Sequence, residues 1–123
     1  MTVVCEDVRV EVGNRLSFMG VFHAVGVEQL PVSLMKIAVI NRLEGQGTAA
    51  VDVRVLSPDR SQIVVASDTA PMDLSAGGLN YNLVFFVNVV LPEAGTYWVQ
   101  TLLDAQIVSE VPFSVVLLQH DTA

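Results

Sequence analysis

The stretch that decides the fold is Val51-Asp52-Val53-Arg54-Val55, in which apolar and charged side chains alternate with a period of two. Successive side chains of a β-strand point to opposite faces of a sheet, so this pattern is typical of a strand with one buried face. Valines alternate with charged residues in the same way between Val8 and Val12. No window of a dozen residues sustains a helical period. The sequence therefore predicts an all-β chain with little or no helix.

Turn-forming residues divide the chain into short strands at the spacing of a sandwich. Tight turns are predicted at Gly13-Asn14, Ser57-Pro58-Asp59-Arg60 and Asp104-Ala105. The segment Asp68–Gly78, which contains Pro71, lacks alternation and is predicted to be the longest irregular loop. Together these features predict an antiparallel β-sandwich of about seven to nine strands. Residues 1–123 form one domain in this interpretation, with residues 119–123 as a frayed tail.

The composition is that of a folded, acidic chain. Of the 123 residues, 52% are hydrophobic and 15% are charged, which excludes a disordered chain. The 13 acidic and 6 basic residues give a net charge of −7, and the basic residues are scattered singly. Such a surface repels phosphate backbones and anionic lipids, and the apolar runs are too short for a membrane helix. We expect neither a nucleic-acid partner nor a membrane partner.

Cysteine usage and the first residues of the chain favour a cytoplasmic location. Cys5 is the only cysteine, so it cannot form an internal disulfide, and we expect it to be a small buried hydrophobe. The stretch Met1 to Cys5 is followed at once by Glu6-Asp7, which leaves no apolar run of the kind found in export signals. The expectation is a soluble cytoplasmic protein.

Residues with catalytic or metal-binding chemistry are few and scattered. A catalytic triad needs an imidazole base beside a nucleophile, and the chain offers only His23 and His120. Zinc needs three or four converging ligands. Acidic residues of predicted loops lack the spacing of a calcium-binding loop and are interpreted as solvated charges: Asp59, Asp68, Asp73 and Glu93. The sequence therefore assigns no catalytic residue, no cofactor and no metal site, and it predicts that the chain is not an enzyme.

The stretch Pro92-Glu93-Ala94-Gly95-Thr96-Tyr97 resembles the proline-acid-x-glycine-x-tyrosine corner of Ig-like and fibronectin-like bacterial domains. With residues 11–22 and with Leu102-Leu103-Asp104-Ala105, it makes the chain similar to an uncharacterised bacterial family of unknown function. The resemblance implies an Ig-like antiparallel sandwich in which Gly95 and Tyr97 form the corner and the Tyr97 hydroxyl bonds to the backbone. It implies no activity.

The later strands carry more apolar side chains than one core needs. In the predicted strand Asn80–Leu91 we expect Leu83, Phe85 and Val87 to face the core, which leaves Val84 and Phe86 on the outward face. The same reasoning places alternate residues of the last two strands outward. The candidate interface predicted from the sequence consists of Val84, Phe86, Trp98, Leu102, Val116 and Leu118.

Two explanations of this surplus stay open at the level of sequence. Loops or the N-terminal hairpin could cover the outward residues, or the register could shift at a bulge such as Pro112. Alternatively, an exposed apolar patch centred on Trp98 and Leu102 would mark a protein interface.

The leading hypothesis is a non-enzymatic protein–protein interaction or structural module that associates with itself through an apolar sheet face. A homo-oligomer is the expected assembly. The alternative is a module that binds a small ligand or a carbohydrate through the Asp68–Gly78 loop and Trp98.

Overall fold

The computed structural model describes residues 1–12, 15–74 and 81–118. These residues form ten strands and contain no helix. The strands are β1 (Thr2–Glu11), β2 (Arg15–Val21), β3 (Ala24–Val27), β4 (Val32–Arg42), β5 (Thr48–Leu56), β6 (Ile63–Ala66), β7 (Ala70–Asp73), β8 (Tyr81–Leu91), β9 (Gly95–Leu103) and β10 (Gln106–Leu117).

The strands form two sheets with a common core. A four-stranded sheet has the order β2-β1-β4-β8, and a six-stranded sheet has the order β3-β10-β9-β5-β6, with β7 also paired to β5. The prediction of an all-β sandwich is confirmed. No helix in the described part of the chain is long and apolar enough to cross a membrane.

One strand pair departs from the antiparallel arrangement that the sequence predicted. β3 runs parallel to β10, with Ala24 opposite Ser114 and Val27 opposite Leu117. The chain leaves the four-stranded sheet after Val21, and the amide N–H of Ser114 donates to the carbonyl of His23 at 2.9 Å. In sequence β3 lies between β2 and β4, which both belong to the four-stranded sheet, but it pairs in the six-stranded sheet. The first third of the chain therefore contributes strands to both sheets.

The core lies between the sheets and is built from the buried side of each alternating strand. Val53 and Val55 of β5 are fully buried, as their period of two predicted. Tyr97 and Phe113 stack with their ring centroids 5.5 Å apart, and Ile37 of β4 packs into the same cluster from the opposite sheet.

The segment predicted as the longest loop contains a strand. β7 pairs with the first half of β5, with Pro71 opposite Ala50. A proline is tolerated because β7 pairs only with β5 among the described strands, so its missing N–H faces away from that ladder. The predicted irregular loop is therefore wrong for Ala70–Asp73, and residues 75–78 lie outside the described residues.

Two of the predicted tight turns lie within the described residues. The carbonyl of Ser57 accepts a hydrogen bond from the N–H of Arg60 at 2.8 Å. Asp104 and Ala105 have φ values of 48° and 66°, as a two-residue hairpin turn requires. The predicted turn at Gly13-Asn14 and the predicted frayed tail at 119–123 lie outside the described residues.

Candidate interaction surface

The faces of β8 are the reverse of those expected from the sequence. Phe86 is only 5% exposed and belongs to the core cluster, and Val84 is half-buried against the same cluster. The outward placement predicted for these two residues is therefore wrong. The register with β4 puts Phe86 opposite the fully buried Ile37. Because both faces of β8 are apolar, the period of the sequence could not show which face is buried.

The outward face of β8 carries a row of exposed apolar side chains, which we call the β8 row: Leu83, Phe85 and Val87. They are 37%, 43% and 65% exposed. Asn88 follows them with a φ of 51°, a left-handed conformation that interrupts the alternation of the strand. After this interruption Val89 is buried and Val90 is exposed.

The ion pair nearest to Phe85 joins Lys36 of β4 to Asp7 of β1. The Lys36 ammonium lies 4.6 Å from the centre of the Phe85 ring and 2.7 Å from Oδ1 of Asp7. The hydrogen bond from Lys36 holds the pKa of the Asp7 carboxyl below its usual value. β8 itself contains no charged residue. The surface around Phe85 is therefore apolar, with one ion pair whose charges cancel.

The rest of this sheet face is covered by the N-terminal hairpin. Cys5, Ala38 and Ile40 are fully buried, and Val8 and Phe18 of the hairpin pack against them. Burial raises the pKa of the Cys5 thiol, which favours its protonated form. The N-terminal hairpin thus covers Ala38 and Ile40 of β4, while the β8 row on the same face stays exposed.

The outward face of the six-stranded sheet is polar around Trp98. The Arg60 guanidinium lies 4.3 Å from the centre of the Trp98 ring and forms two hydrogen bonds with the Glu110 carboxylate, at 2.7 and 2.8 Å. The side-chain amide of Gln100 donates to the same carboxylate at 2.6 Å and accepts from Nε of Arg54 at 2.8 Å. The hydrogen bonds from Arg60 and Gln100 lower the pKa of Glu110.

The turn after β5 holds Arg60 in this position. Arg60 has a φ of 62°, and the neighbouring Asp59 carboxylate accepts hydrogen bonds from both the hydroxyl and the N–H of Ser61. The Ser57 hydroxyl donates to the same oxygen at 2.7 Å. These bonds lower the pKa of Asp59 to about 2. Asp59, considered above as a loop acid, therefore stabilises the turn.

The six residues predicted as an interface do not form one surface. Val84 and Phe86 belong to the four-stranded sheet, and Trp98 is half-buried beneath Arg60.

The predicted exposure of Leu102 is wrong, because this residue is only 5% exposed. It lies on the central strand β9, where Ile107 of β10 and Asp52 of β5 are its partners on either side. The exposed members are Val116, near the end of β10, and Leu118, which follows that strand. Pro112 is not the bulge; the shift lies between Ile107 and Ser109.

The corner before β9 has the geometry that the family resemblance implied. The Tyr97 hydroxyl donates to the carbonyl of Glu93 at 2.7 Å and accepts the N–H of Glu93 at 3.2 Å. Gly95 has a φ of 137°, and a Cβ atom there would lie 2.9 Å from the Pro58 side chain. The corner thus fixes the entry of β9 into the sheet, and it presents no reactive group.

Two further features bear on metal and ligand binding. Within the described residues no group of three or more histidine, cysteine or acidic side chains is placed to hold a metal ion. A cleft of about 560 Å³ lies between β1, β3 and β4, with Phe22, Val25 and Leu34 among its lining residues. His23 is exposed and lines a separate, smaller cleft with Val21 and Pro112, and His120 lies outside the described residues.

The fold and the exposed edge together define a class: a two-sheet all-β sandwich with a row of exposed apolar side chains on an edge strand. Residues 1–116 match the family of unknown function DUF6941, and the chain belongs to that family. A comparison with curated proteins finds no match.

Proposed function

We propose that this domain is a non-enzymatic interaction module that associates with a second copy of itself through the β8 row. The observation that carries the proposal is the exposure of Leu83, Phe85 and Val87 on an uncharged strand of 11 residues. Exposed apolar rows of this kind are uncommon on monomers and are typical of protein interfaces.

The charge distribution supports this location. A chain with a net charge of −7 opposes its own association wherever acidic residues meet. The β8 row avoids this cost because β8 is uncharged and the neighbouring Asp7 is paired with Lys36. The surface around Trp98 offers less apolar area, because its ring is half-buried beneath Arg60 and lies beside the polar pair of Gln100 and Glu110.

The test compares two exposed apolar positions on different sheets. Phe85→Asp places a charge in the β8 row, and Val116→Asp does the same in the surface predicted from the sequence. We expect light scattering to show a dimer for the unsubstituted chain and for Val116→Asp, and a monomer for Phe85→Asp. A strict monomer at millimolar concentration, or a dimer insensitive to Phe85→Asp, would overturn the proposal.

A ligand-binding module is the weaker candidate. The Trp98 ring, on which a sugar would stack, is covered on one face by Arg60, and part of the predicted binding loop is strand β7. The cleft near Leu34 has the volume of a small-ligand site but lies at a different place from that loop.

We further propose that the sandwich is of the Ig-like type and that the protein works in the cytoplasm. The hydrogen bonds between Tyr97 and Glu93 support the first statement, and the lone buried thiol of Cys5 supports the second. An experimental structure with a different strand order would contradict the Ig-like type. Recovery of the native protein outside the cytoplasm in cell fractionation would contradict the location.

A further inference from the structure

We infer that two copies of this chain join through the free edge of β8, as an antiparallel strand pair centred on Phe85 that makes one continuous sheet from the two four-stranded sheets. The inference rests on the proposed function and adds the mode and register of association to it. It follows from the direction of the backbone groups of β8 and from the absence of edge protection.

The pairing of β1 with β4 shows which backbone groups of β4 point towards β1 and which point towards β8. The N–H of Arg42 donates to the carbonyl of Met1 at 2.9 Å, so the backbone groups of Arg42 point towards β1. Along a strand these directions alternate, and the N–H and C=O of Asn41, Val39 and Ile37 therefore point towards β8. A second hydrogen bond gives the same directions. The N–H of Phe22 donates to the carbonyl of Val4, so the backbone groups of Val4 point towards β2 and those of its neighbours in β1 point towards β4.

The register then fixes which groups of β8 are free. Asn41, Val39 and Ile37 lie opposite Asn82, Val84 and Phe86, so those three residues of β8 bond to β4. The alternate residues Leu83, Phe85 and Val87 direct their N–H and C=O groups away from β4. Among the described strands, β4 is the only one that pairs with β8. The residues that expose apolar side chains therefore also present donors and acceptors at the edge.

Between Leu83 and Val87, this edge lacks the features that prevent other sheet edges from pairing. Natural sheets protect their edges with short strands, charges, prolines or bulges. β3, β6 and β7 have only 4 residues each, and β7 contains Pro71. β2, the other edge of the four-stranded sheet, includes Arg15 and a left-handed Gly20 with a φ of 68°. β8 has 11 residues without charge or proline, and its only left-handed residue is Asn88, at one end of the β8 row.

The edge is complementary to itself. An antiparallel pair with its two-fold axis at Phe85 places Phe85 opposite Phe85 of the second copy and Leu83 opposite Val87 of the second copy. All three residues then exchange their N–H and C=O groups with their partners, and their side chains form one apolar row on the outer face. A two-fold contact uses the same patch on both copies and closes without forming a fibre.

Cysteine cross-linking tests this register while Phe85 is retained. Leu83→Cys and Val87→Cys proteins are prepared separately and exposed to a mild oxidant alone and as a mixture. Directly opposed residues have Cα atoms about 5.5 Å apart, within disulfide range, whereas two copies of position 83 are about 13 Å apart along the strands. We expect a covalent dimer only in the mixture. Cys5 is fully buried and stays reduced, and Val116→Cys is the matched exposed control.

A proline variant tests whether backbone bonds are used. Leu83→Pro removes an N–H at the free edge and leaves the ladder with β4 intact, while Leu83→Ala shortens the side chain and keeps the N–H. We expect the dissociation constant of the dimer to rise at least roughly tenfold more for Leu83→Pro than for Leu83→Ala. Circular dichroism checks that both variants are folded.

The outcomes separate this inference from the proposed function. A dimer that Phe85→Asp disrupts but that forms no cross-link in the mixture would overturn the edge pairing and leave association through the β8 row standing. A chain that stays monomeric, or a dimer insensitive to Phe85→Asp, would overturn both. Cross-linking of Leu83→Cys alone would show a different register and would also overturn the inference.

Discussion

The two outward sheet faces of this protein each place a cation over an aromatic ring, but they leave that ring exposed to different extents. On the six-stranded sheet, Trp98 lies beneath Arg60, whose charge is bound by Glu110. On the four-stranded sheet, Lys36 contacts the ring of Phe85, but the ring stays 43% exposed and is flanked by exposed Leu83 and Val87. Residue type alone would place an interface at the tryptophan. The difference shows that the accessibility of an aromatic side chain to a partner depends on which other side chains of the same chain pack over it.

The largest expected effect separates the two faces of β8 itself. Phe86→Ala should lower the free energy of unfolding by about 3–5 kcal/mol, because it empties a buried site in the core. Phe85→Ala should lower it by about 1 kcal/mol or less, because the ring is already partly solvated. Urea unfolding at low protein concentration measures both. Equal losses in the two variants would show that the two faces have been assigned wrongly.

An intermediate effect concerns the cover over Trp98. Arg60→Ala should expose the ring, so acrylamide should quench its fluorescence more strongly, towards the level of a solvent-exposed tryptophan. Trp98 is the only tryptophan, and its emission therefore reports this site alone. Arg60→Lys keeps the charge but loses the planar guanidinium, and should give an intermediate value. Unchanged quenching in Arg60→Ala would mean that Arg60 does not shield the ring.

The smallest effect is a pH dependence of the same face. The folded-state pKa of Glu110 lies below its ordinary value of 4.5. The stabilising pair with Arg60 is therefore fully present above pH 4.5 and is lost as the pH falls through the lowered pKa. We expect Trp98 emission to be constant above pH 4.5 and to change below it. In Glu110→Gln this acid transition should be absent; a transition of the same size there would assign it to another carboxylate, such as Asp59.

Much of the fold follows from local sequence features. The period of two in Val51–Val55 predicts a strand with one buried face, and the structure buries those valines. The turn at Asp104-Ala105 requires two residues of positive φ, and the structure has them. The sequence did not predict that β3 pairs with β10 or that β7 pairs with β5. Each of these short strands has only four residues, which is too few for an alternating pattern to identify a partner.

The candidate surface was harder to predict, for a physical reason. In β8 both faces are apolar, so the choice between Phe85 and Phe86 is made by the register with β4 and not by any local pattern. The cover over Trp98 depends on a left-handed Arg60 and on Glu110, which lies far away in sequence. The absence of charge and proline in Tyr81–Leu91 was the one signal in the sequence that could have indicated an unprotected edge.

The parallel ladder between β3 and β10 also constrains the order in which the two sheets can form during synthesis. β10 follows all of the other described strands in sequence, and β3 has no other partner among them. The four-stranded sheet, in contrast, has all of its strands once Leu91 has been synthesised. β8 and its uncharged edge are thus present on the nascent chain before the second sheet can close. Pairing over such a long sequence separation is entropically slow, so this interval is when the edge is most open to pairing with a neighbouring chain.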